Sequence, residues 1–186
     1  MSIFSRLWHR FAESVSIRTY RRIYFSMRQD ALQQLALISN RPGVSSDSLV
    51  PTGELIVSLT THGKRLSDVW LAIESTMQGT VLPNRFILWL DETGKERPLP
   101  VLIQHQMKRG LEVRYTKDLG PYTKLIPALR EFPDATIVTI DDDIIYPVDM
   151  LEGLLNAYLR HPNSICANRV VEMKRDSKGS FTPLRT

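Results

Sequence analysis

The chain has one cysteine, Cys166, among 186 residues. A lone cysteine excludes an intrachain disulfide framework and a cysteine-rich zinc site, and it suits a reducing compartment. Long apolar runs are missing too: nothing approaches the ~20 consecutive apolar residues of a spanning helix. Arginines interrupt the apolar stretches at the amino end, so there is no secretory h-region. The expected location is cytoplasmic. Net charge is only +4, and beyond the amino end the bases gather on no single obvious helix, so no nucleic-acid partner is expected. Internal repeats and low-complexity tracts are absent.

What remains is the composition of a folded protein. Hydrophobic residues make up 42% and charged residues 24%, which excludes a disordered chain, and the length suits one domain. Much of the positive excess lies in the first 28 residues. These hold six arginines (Arg6, Arg10, Arg18, Arg21, Arg22 and Arg28) against Glu13 alone.

The apolar spacing predicts helix over residues 3–38. Phe4, Leu7, Trp8, Phe11 and Val15 recur every three or four residues with basic residues between them, the pattern of a basic amphipathic helix. Such a helix can lie peripherally on an anionic membrane, here the inner face, through residues 1–28. It can equally pack on the domain or on a partner. Residues 1–40 are therefore read as a helical segment, and the Pro-, Gly- and Ser-rich stretch 41–53 as a linker. The folded domain is expected over 54–186.

Within that domain the pattern alternates. Strands are expected at "ELIVSLTT", "RFILWLDE", "LEVRYTK", "ATIVTI" and "SICANRVV". Helices are expected at "LSDVWLAIESTMQG", with Ser67 as N-cap, at "LPVLIQHQMKRG", stopped by Gly110, in part of "YTKLIPALREFP", and at "PVDMLEGLLNAYLRHP", with Pro147 in its first turn. Trp70 and Trp89 fall in apolar patterns and are expected in the core. This repetition predicts an α/β domain with a mostly parallel sheet. In such sheets ligands bind beyond the carboxyl ends of the strands.

Three strand ends carry polar groups: "TTHGKR" (60–65), Asp91-Glu92 and Asp141-Asp142-Asp143. Three aspartates exceed what a helix cap requires. If the period-two alternation of the strand continues, Asp141 and Asp143 converge while Asp142 turns elsewhere. Two close carboxylates repel unless a cation joins them. Mn²⁺ or Mg²⁺ prefers such oxygen ligands and is often completed by substrate phosphates.

Together, "LIVSLTTHGKRL", "IESTMQGTVLPNRFILWLDE", "GPYTKLIPAL" and "ATIVTIDDDIIYP" resemble a GT-A type nucleotide-sugar glycosyltransferase near the broad family 2 group. The resemblance covers about residues 54–169. It implies a Rossmann-like nucleotide-binding domain that moves a sugar from a nucleotide-sugar donor to a glycan or lipid-linked acceptor. By the same resemblance, Thr60, Thr61 and Arg65 receive the nucleotide and Asp91 contacts the base. Lys124 meets the diphosphate or ribose. Asp141, Asp142 and Asp143 form the DxD motif, with Asp141 and Asp143 as metal ligands and Asp141 and Asp142 near the donor.

An inverting member also needs a catalytic base downstream of the motif, for which Glu172 is the candidate. With Thr186 as the last residue, the acceptor part is expected to be incomplete. Two other readings remain. One is a nucleotide-sugar binder without turnover. The other is a haloacid dehalogenase-type phosphatase, although Ile145 stands where that motif usually has Thr or Val, and three strand units precede the aspartates.

Overall fold

The structure, a computed structural model, describes residues 3–51 and 53–169, without the side chains of 3–18 and 21. A long helix α1 (Ile3–Ile38) leads into β1 (Leu55–Thr60), α2 (Trp70–Met77), β2 (Arg85–Asp91) and α3 (Val101–Lys108). Then follow β3 (Leu111–Thr116), α4 (Ile126–Glu131), β4 (Thr136–Thr139) and α5 (Met150–Arg160). The four strands form one parallel sheet in the order β3-β2-β1-β4. The domain is thus α/β with an all-parallel sheet, compatible with a Rossmann-like fold.

The two central strands read as continuous apolar runs because both their faces are covered. Alternation divides their side chains between two packed layers. Leu55, Val57 and Leu59 of β1, with Phe86, Leu88 and Leu90 of β2, join one core with residues of α1, α2, α3 and α5. Ile56 of β1, with Ile87 and Trp89 of β2, faces the other way against Ala128 of α4 and the neighbouring Phe132. Trp70 and Trp89 are both buried.

Connections on opposite faces also explain the strand order. Right-handed crossovers through α2 and α3 step the chain outward from β1 to β3. The α4 crossover, on the opposite face, carries it back past β2 and β1 to β4. The order therefore reverses between β1 and β4, and that is where a crevice opens in this kind of sheet.

Several local expectations are corrected. Residues 164–169 of the expected fifth strand form no strand, and the rest of that segment lies outside the described residues. The strand expected at "ATIVTI" is confined to Thr136–Thr139 and forms a half-buried edge among the described residues. Ser67 does not cap α2. It ends a 3₁₀ turn over Gly63–Ser67, and its hydroxyl donates to the Lys64 carbonyl (2.8 Å). Pro147 precedes α5 and accepts a turn hydrogen bond from the Met150 N–H (3.2 Å). Gly110 does follow α3, with φ +107°, where an added Cβ would lie 2.5 Å from the Val44 side chain.

Residues 41–51, expected as part of a linker, pack against the domain. Val50 is buried with the main core, and Val44 and Leu49 lie against it. The Asn84 amide donates to the carbonyls of Ser45 (3.1 Å) and Asp47 (2.7 Å). The carboxyl end of α1 contributes Leu32 and Ala36 to the same core. No helix among the described residues is long and apolar enough to cross a membrane.

Candidate functional site: a cleft where the strand order reverses

A cleft of about 350 Å³ opens at the carboxyl ends of β1, β2 and β4. Thr60, Thr61, His62 and Arg65 line it from the end of β1, and Asp91 from the end of β2. Asp118, Gly120, Pro121, Thr123 and Lys124 come from the loop before α4, and Ile140, Asp141 and Asp142 from the end of β4. Seven residues singled out as nucleotide or metal contacts thus meet in one place: Thr60, Thr61, Arg65, Asp91, Lys124, Asp141 and Asp142. Asp143 does not line the cleft, and Glu172 lies outside the described residues.

The aspartates divide differently from the expectation. β4 ends at Thr139, and residues 142–143 form a turn. Strand alternation therefore lapses before the triplet begins. Asp142, not Asp143, accompanies Asp141 in the cleft. Its side chain is only 8% exposed. It accepts a 2.6 Å hydrogen bond from the Thr61 hydroxyl and a 3.2 Å bond from Arg65 Nη1. Asp141 is more open, with its side chain 54% exposed, and it pairs with the Lys124 ammonium. The two carboxylates are thus partly neutralised by cations of the chain itself.

Each of these groups is held by backbone near it. Lys124 ends a 3₁₀ turn over Gly120–Lys124, and its carbonyl accepts a 2.6 Å bond from the Ser58 hydroxyl of β1. Ser58 in turn accepts from the Trp89 indole N–H (2.9 Å). A buried polar group needs such partners, and here they tie the lysine loop to the centre of the sheet. The same loop closes on itself at Asp118. The Gly120 N–H donates to the Asp118 carboxylate (2.7 Å), with Gly120 at φ +61°. The Thr123 hydroxyl accepts from the Leu119 N–H (2.8 Å).

Other groups in the cleft are already partly committed. The Thr60 hydroxyl donates to the Trp89 carbonyl (3.0 Å). Asp91 accepts a 2.5 Å bond from the Thr93 hydroxyl in the turn that follows β2. Asp91 therefore both serves the turn and lines the cleft.

Tyr146 fixes the acidic loop, and no sequence argument singled it out. Its hydroxyl accepts a 2.8 Å bond from the Asp141 N–H. Its own N–H donates to the Ser75 hydroxyl of α2 (3.0 Å), and its carbonyl accepts from Arg28 of α1 (2.5 Å). Burial pushes the Tyr146 phenol above its usual value, and the nearby carboxylates of Asp141, Asp143 and Asp142 add to this; the Asp141 N–H opposes it. The hydroxyl therefore stays neutral at physiological pH. The available signal was the "DDDIIYP" spacing, which places a tyrosine one turn beyond the aspartates.

The described residues hold no group of three or more His, Cys, Asp or Glu side chains placed to bind a metal ion. The donor chemistry still fits a hard cation of the Mg²⁺ type. Such ions commonly take one or two carboxylates and complete their shell with phosphate oxygens and water. Asp141, open to the cleft, is the main candidate, with Asp142 beside it. No protein-family model matches the chain, and no curated protein matches it either.

Proposed function

We propose that this cleft holds the nucleoside diphosphate of a nucleotide sugar, and that the chain is the donor-binding part of a GT-A type glycosyltransferase. The acceptor class would be a glycan or lipid-linked glycan. One observation carries the reading. Lys124, Arg65 and the Asp141-Asp142 pair come from three separate segments and converge at the reversal of a parallel sheet, where nucleotides bind in folds of this kind.

In this reading Thr60 and Asp91 lie towards the nucleoside, because they occupy the ends of adjacent strands. Lys124 and Arg65 offer positive charge to the diphosphate. Asp142 orients Arg65 and Thr61 rather than reacting. Asp141, positioned through its backbone by Tyr146, is the carboxylate open to a metal. A bound Mn²⁺ or Mg²⁺ would supply charge neutralisation to the departing diphosphate.

A second reading, donor binding without turnover, is favoured by one specific feature. Asp141 and Asp142 are already paired with Lys124 and Arg65, so repulsion between these two carboxylates does not by itself require a metal.

Thermal melting with UDP or GDP, with and without Mn²⁺, tests the shared claim. A ligand that binds the native state raises the melting temperature. A metal-dependent rise is expected with at least one of the two nucleotides. If neither shifts melting at millimolar concentration, the donor site is refuted. Release of free sugar from a donor then separates the transferase from the binder.

A further inference from the structure

The domain-facing side of α1 accounts for only part of its apolar surface. Leu32 and Ala36 are buried in the core, and Arg28 reaches the Tyr146 carbonyl. A different side of the same helix carries Tyr20, Ile23, Tyr24 and Met27, each more than half exposed. These positions follow the i, i+3, i+4, i+7 spacing of a single helical stripe. Ile38, 71% exposed, continues the stripe about five turns after Tyr20. The Tyr20 and Tyr24 rings stack with centroids 6.4 Å apart. None of these residues touches the nucleotide cleft.

We infer that this stripe docks α1 in the plane of an anionic lipid surface. Charge selects the occupant. The first 28 residues contain six arginines and one acid, and Arg18, Arg21 and Arg22 share the turns of α1 that carry Tyr20 and Tyr24, at positions on the flank and the opposite, polar face of the helix. Basic residues on the polar face of a helix lying in the interface add attraction to anionic headgroups. Tyrosine suits that depth, since its ring is apolar and its hydroxyl remains hydrated. The inference is independent of the nucleotide reading.

Flotation of the full chain tests it, using phosphatidylcholine vesicles with and without phosphatidylglycerol. The chain is expected to float with the anionic vesicles and to be released by salt. Ile23→Asp combined with Met27→Asp, which leaves residues 1–22 and every arginine in place, should lower partitioning about tenfold or more. The melting temperature should not change, because both side chains are exposed. If the aspartates do lower melting, Ile23→Ser with Met27→Ser replaces them, with the same expected loss. Undiminished flotation of the double variant would overturn the inference and assign binding to the preceding residues. Absence of flotation by the parent chain would also overturn it. So would a parent dimer that the double variant converts to monomer, which would give the stripe to a second copy.

Discussion

Lys124→Met should move two affinities in opposite directions. The Lys124 ammonium pairs with Asp141, and their side chains are 24% and 54% exposed. A pair this open contributes only about 0.2–1 kcal/mol. A divalent ion on the same carboxylate must weaken that pair and accept a nearby positive charge. For charges of +2 and +1 about 5 Å apart in water-like surroundings, the repulsion is about 1.7 kcal/mol. Removing the ammonium should therefore tighten Mn²⁺ binding to the nucleotide-free chain by about 2 kcal/mol, or about thirtyfold.

The nucleotide responds in the other direction. A charge-assisted bond from Lys124 to a diphosphate oxygen is worth about 1.5–3 kcal/mol, so the variant should bind UDP or GDP about ten- to a hundredfold more weakly. Paramagnetic resonance of free Mn²⁺ measures the first affinity, and calorimetry at saturating metal measures the second. Equal Mn²⁺ binding by parent and variant would show that Asp141 does not hold the ion. Weakening of both affinities would show that Lys124 supports the shape of the cleft and not its charge.

Three further perturbations have defined outcomes. Tyr146→Phe removes the acceptor of the Asp141 N–H and should weaken metal-dependent nucleotide binding about three- to tenfold, with little change in melting; unchanged affinity would mean that the acidic loop does not need this pin. Glu74→Ala leaves the Arg109 guanidinium buried without its carboxylate, now paired at 2.8 Å with both side chains almost fully enclosed, and should cost about 3–5 kcal/mol, read as a fall of roughly 10 °C or more in melting temperature; a fall of a degree or two would refute the burial. For Glu112, burial pushes the carboxyl up, but hydrogen bonds from Arg85 and Arg114 outweigh it and hold it below the usual value of 4.5. Its contribution is therefore present above that value and lost as pH falls through the lowered one, so the melting gap between the parent and Glu112→Gln should be open at neutral pH and close in acid, and a gap independent of pH would refute the assignment.

The sheet was legible because β1 and β2 are covered on both faces, which leaves a continuous apolar run in the sequence. The packing of residues 41–51 was not. Pro, Gly and Ser mark a segment without regular structure, but they do not say whether it is solvated. Here Val44, Leu49 and Val50 supply enough apolar surface to hold it on the core. The end of β4 misled for a related reason. Alternation is a property of paired strand, and the chain leaves the ladder at Thr139, before the first aspartate. From that point a turn sets side-chain direction, and it directs Asp142 inward.

That inward turn changes what the triplet means. Three adjacent carboxylates suggest a metal mainly because their repulsion calls for a cation. The fold answers part of that need with Arg65 and Lys124, which are distant in sequence and adjacent only through the parallel sheet. Repulsion therefore cannot carry the argument for a metal. What carries it is the contrast between Asp141 and Asp142. Asp142 is enclosed and bonded by both Thr61 and Arg65, as a structural group should be. Asp141 is half exposed, is held through its backbone by Tyr146, and has a partner on a flexible four-carbon stem. A lysine in that position can release the carboxylate when a cation arrives and turn to a phosphate instead. The same exchange is why the Lys124 variant should separate metal affinity from nucleotide affinity.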